Sequence, residues 1–128
     1  MKRKKFLLIS ALLSFGFGSM LFFLPQFASK NFGMTYTPEI GSLLRGMGGL
    51  IIGTGLINFL FRKTTSSEAL KALFIANIVT QFLGIIADFL GLYEEVLTLR
   101  NILPVQVTHL FIGVGSLIYL LQLEKQEQ

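Results

Sequence analysis

Four long apolar stretches, residues 6–24, 40–61, 69–93 and 102–121, alternate with short polar ones along the chain. Each is long enough to cross about 30 Å of hydrocarbon as an α-helix. Between them lie residues 25–39, the polar turn 62–68 and the stretch 94–101. None of these holds a second domain, so the pattern predicts one integral membrane domain, residues 1–128, with an all-α fold: a four-transmembrane-helix bundle.

Helix punctuation agrees with the hydrophobic pattern. Pro25 ends the first run, and Thr37-Pro38-Glu39 opens the second with a cap, a proline suited to a first turn and an acid that favours the positive end of the helix dipole. Ser66 or Ser67 caps the third run, with Glu68 in the role that Glu39 plays for the second. Pro104 is expected in the first turn of the fourth, where a missing N–H costs little. The first run follows a basic segment, Met1 to Lys5, and precedes small residues around Ala28 and Ser29, so it has to be weighed as a signal peptide. It exceeds the roughly 7 to 15 apolar residues of such a segment. Its Ser10, Ser14 and Gly18 make a small-residue face for helix contact, so it reads as a retained first span.

Composition narrows the class. The chain is 52% hydrophobic and 14% charged, against about 25% charged residues in average soluble domains, which excludes a water-soluble monomer. With no Cys there is no disulfide framework and no thiolate chemistry, and a single His excludes a zinc site built from several imidazoles. No metal site and no cofactor motif is read. Eleven Lys and Arg outnumber seven Asp and Glu, yet the cations sit at the ends of apolar runs without interleaved aromatics, which argues against nucleic acid. With the N-terminus inside, eight cations (Lys2, Arg3, Lys4, Lys5, Arg62, Lys63, Lys71 and Lys125) lie on the cytoplasmic side and two (Lys30 and Arg100) on the other. That bias predicts both termini in the cytoplasm and a multi-pass protein of the cell inner (plasma) membrane.

Polar residues within the spans carry the candidate chemistry. In this topology Arg45, Asp88 and His109 share one level, roughly 8 to 11 Å below the outer boundary, and intramembrane ionisable groups are functional-site candidates. At about 100° per residue, Asn77, Gln81, Gly84 and Asp88 form one polar stripe, and Gln106, His109, Gly113 and Ser116 another. The predicted ligand-binding set is Arg45, Gln81, Asp88, Gln106 and His109: a cavity in the outer half with Gln81 at its floor, above an inner half packed nearly dry. Arg45 and Asp88 are expected to face each other. The alternative is structural: the two neutralise each other, His109 is a satisfied bundle histidine, and Gly46-Met47-Gly48-Gly49, which lacks a Lys-Ser/Thr ending, is helix packing and not a phosphate loop. The aromatic loop with Phe27, Phe32, Met34 and Tyr36 either covers that cavity or anchors at the interface.

Leu24-Pro25 with its aromatic loop, followed by Leu44-Arg45-Gly46-Met47-Gly48-Gly49 and Gly53-Thr54-Gly55-Leu56, resembles the small four-span bacterial membrane proteins grouped as DoxX-like. Some of that group are associated with quinone-linked sulfur oxidation, so the resemblance implies a redox partner. The residues themselves leave two functions open: a non-enzymatic membrane protein acting through partners or self-association by its glycine faces, or an intramembrane site for a quinone or lipid-like ligand. A proton-coupled transporter subunit is a weaker third, because one four-span chain needs a second copy to make a pathway.

Overall fold

The structure is a computed structural model that describes residues 1–127; Gln128, the last residue of the expected domain, lies outside them. The described residues form five helices and no strand: α1 (Arg3–Phe23), α2 (Pro25–Asn31), α3 (Pro38–Phe61), α4 (Ser67–Tyr93) and α5 (Leu99–Glu127). All but α2 are long and apolar enough to cross a membrane, and we read the chain as a multi-pass membrane protein. Large apolar side chains such as Leu50, Phe82 and Val107 stand on the outer surface, as a lipid solvent requires.

The predicted start signals operate. Thr37 Oγ1 accepts a hydrogen bond from the Ile40 N–H at 3.3 Å, with Pro38 and Glu39 in the first turn of α3. Ser66 Oγ accepts from the Ala69 N–H at 3.3 Å, with Glu68 behind it. Two elements differ from expectation. The loop after Pro25 winds into the short helix α2, because the proline pre-sets a first turn and Ser29 Oγ donates back to the Gln26 carbonyl at 2.9 Å. Secondly, α5 starts at Leu99, so Pro104 lies inside the helix and leaves the Arg100 carbonyl without its intrahelical donor.

Packing is pairwise. α1 runs along α3 and α4 along α5, whereas contact between the two pairs is sparse. Small residues explain the first pair: a Cβ added at Gly18 would lie 2.8 Å from the Gly48 carbonyl oxygen, and one at Gly48 2.6 Å from that of Gly18. Only hydrogen at both positions permits this approach. Ser10, Ser14 and Gly18 are all buried, as the small-residue face predicts.

The pairs join at the end that carries the termini. Phe6, Leu7, Leu70, Leu73 and Phe74 form a buried cluster there, with Phe6 tilted against Phe111 and Tyr119 stacked on Phe74 at 5.9 Å. Asn58 and Asn77 are buried and exchange two hydrogen bonds between α3 and α4, of 2.9 and 3.3 Å. Arg3 Nη2 donates to the Thr64 carbonyl at 2.8 Å, and the Tyr119 hydroxyl donates to the Met1 carbonyl. Both termini therefore sit at one end of the bundle.

Candidate intramembrane site

Beyond the Asn58–Asn77 pair the two helix pairs diverge and flank a partly open cavity of about 560 Å³. α2 and the Asn101 side chain border its far end: Asn101 Nδ2 donates to the Asn31 carbonyl, and the Thr98 hydroxyl donates to Asn101 Oδ1. The walls are mostly apolar, supplied by Leu13, Phe17, Phe27, Phe32, Ile51 and Ile112. Gln81 and His109 bring the polar groups of mid-span into it, while Arg100 and Asn101 stand at the α2 end.

His109 is held from α4. Its Nδ1 lies 2.6 Å from Gln81 Oε1, an acceptor that pairs with the tautomer bearing its hydrogen on Nδ1. Its Nε2 lies 3.7 Å from Asp88 Oδ2. The same carboxylate oxygen accepts from Gln106 Nε2 at 2.7 Å, making a continuous line Gln106, Asp88, His109, Gln81 along the α4–α5 seam. Gly84 opens the space for the ring, since a Cβ there would be 2.5 Å from His109 Cε1. Gly113 admits the Gln81 side chain in the same way, at 3.3 Å. The two predicted polar stripes thus meet each other.

Four of the five predicted residues are brought together, and only two of them reach the cavity. Asp88 and Gln106 lie in the seam, because on α5 the stripe of Asn101, Pro104, Val105 and Thr108 turns toward α1 and α3 while Gln106 turns toward α4. Arg45 is a correction. It is exposed on α3 and makes no ion pair or hydrogen bond among the described residues, and Asp88 takes Gln106 and His109 instead. A common depth fixes level but not rotation. At seven residues, about 10 Å, from the start of α3, an arginine extends its head to the interface without a partner.

The lining threonines Thr54, Thr80 and Thr108 and the pair Asn31 and Asn101 at the α2 end were not singled out in the sequence. The signal was present in Thr98-Leu99-Arg100-Asn101, which reads as a loop until α5 is known to begin at Leu99. Among the described residues no three His, Cys, Asp or Glu side chains gather to hold a metal. Comparison with protein-family models, with curated proteins and with solved structures finds no match. The DoxX-like resemblance therefore rests on the residues quoted for it alone.

Proposed function

We propose that this chain is an intramembrane binding protein for a lipid-like or quinone-like amphiphile, lodged between its two helix pairs with both termini in the cytoplasm. The observation that carries the reading is the cavity of about 560 Å³, mostly apolar with a few convergent polar groups; sites for small organic ligands measure about 300–1,000 Å³ and have this chemistry. The Gln81 amide nitrogen offers a hydrogen bond to a polar group at mid-span, its oxygen being held by the His109 ring behind it.

The test is native mass spectrometry of the protein extracted from membranes. A bound amphiphile should survive detergent exchange, and Thr108→Phe, which fills the chamber from α5, should lose it without altering helical content. A chain that retains nothing, or a variant that retains as much as the parent, overturns the reading. A second reading, self-association, is favoured by the open faces of Gly46 and Gly53 on α3, where an added Cβ meets nothing within 4 Å. Small residues on a lipid-facing helix permit close approach by another helix.

A further inference from the structure

Eight of the eleven Lys and Arg lie toward the end with the termini; only Lys30, Arg45 and Arg100 lie toward the other. Two of those three border one recess. Lys30 on α2 and Arg100 on α5 line a second recess, together with Asn31, Thr98 and Asn101, at the mouth of the cavity. The recess and the cavity share Phe27, Asn31, Arg100 and Asn101, so one leads into the other. Neither cation makes an ion pair among the described residues, and the nearest acids in sequence, Glu94 and Glu95, make none with them. The combined space is therefore amphipathic along its length: an apolar chamber running into the bundle, and a polar mouth with two unneutralised positive charges from different helices.

We infer that the occupant is an anionic amphiphile whose acidic headgroup, a phosphate ester, sits between Lys30 and Arg100 while its tail fills the chamber toward Gln81. This rests on the reading of the cavity as an amphiphile site and adds the headgroup class. The chemistry is that of phosphate recognition. A planar guanidinium presents paired donors to two anionic oxygens, and a flexible ammonium supplies a point charge opposite it. The Asn101 side chain, already fixed by Thr98 and Asn31, lines the same recess. A neutral quinone ring would leave the two charges unused. Basic clusters at membrane surfaces attract anionic lipids generally, but here the end concerned is otherwise poor in cations, so the charge is concentrated at the mouth.

Affinities of the full-length protein in detergent, measured by native mass spectrometry titration, test this with three probes: oleoyl lysophosphatidate, oleoyl lysophosphatidylcholine and inorganic phosphate. The first two share a tail and a phosphate and differ in the neutralising choline. Lysophosphatidate should bind about tenfold more tightly than lysophosphatidylcholine. The exposed double variant Lys30→Gln, Arg100→Gln should erase that preference, whereas Thr108→Phe should weaken both lipids equally. Equal binding of the two lipids by the parent chain, or a preference that survives the double variant, overturns the headgroup assignment and leaves the cavity reading standing. Failure of both lipids overturns both. Inorganic phosphate that binds as tightly as lysophosphatidate assigns the recess to a soluble anion and overturns the lipid.

Discussion

Gly84 shows how much a single hydrogen atom decides at the residue scale. Its missing side chain is the space that the His109 ring occupies, and with the ring in place Gln81 and Asp88 are both within reach. Gly84→Ala should expel the imidazole from the α4–α5 seam and uncouple its ring resonances from Gln81 and Asp88 in NMR spectra; unchanged histidine signals would contradict this role. Asp88→Leu should destabilise the protein by about 1–3 kcal/mol in thermal or denaturant unfolding, because Gln106 loses its acceptor in a place with little water. Asp88→Asn, which keeps an acceptor for Gln106, should be milder. Asp88, His109, Gln81 and Gln106 were legible in the sequence because both polar stripes have helical spacing, and such stripes in hydrocarbon seek each other. Arg45 was not, since its long side chain escapes to an interface regardless of the face it starts from.

The glycines of α3 divide by face at the scale of the element. Gly48 and Gly55 lie against α1, with Gly55 3.0 Å from Ser14 Cβ by the same added-Cβ measure, whereas Gly46 and Gly53 face open space. Gly48→Val should force α1 and α3 apart and cost about 1–3 kcal/mol in unfolding. Gly46→Ala, with nothing to strike, should leave stability equal or raised by up to about 1 kcal/mol through helix propensity. Equal effects at the two positions would contradict the packing assigned to α1 and α3. Spacing predicted the spans and the small face of α1, because hydrophobic runs and small residues are local signals. It gave the α3 glycines only as one broad face, since the partner that splits them into packed and open sets lies in a distant part of the chain. α2 escaped notice for a different reason: seven residues carry too little periodicity to outweigh the look of a loop.

The whole molecule is two helical hairpins, α1 with α3 and α4 with α5, joined at one end by Asn58, Asn77 and the cluster around Phe6 and Phe74. A double-mutant cycle on Asn58→Leu and Asn77→Leu should yield a coupling of about 0.6–1.7 kcal/mol, the range for hydrogen bonds between helices in bilayers; a coupling of zero would show that the hairpins are held by the aromatic cluster alone. The common end of the two termini follows from Arg3, Thr64, Tyr119 and Met1. Its cytoplasmic side is a proposal, checked by reporter fusions at the C-terminus, which should be active only when the reporter works in the cytoplasm. The sequence displayed four spans and their charge asymmetry but gave no sign that the spans pair two by two, because that depends on which glycines meet. The pairing bears on biogenesis. Each hairpin makes its contacts within its own half of the chain, and such low contact order favours rapid formation of each before the two dock. The chamber has no wall of its own until the hairpins dock. It is therefore the last part of the protein to form, and where contacts are fewest it is the first to yield when the folded molecule breathes, so the proposed amphiphile would enter from the side without unfolding either hairpin.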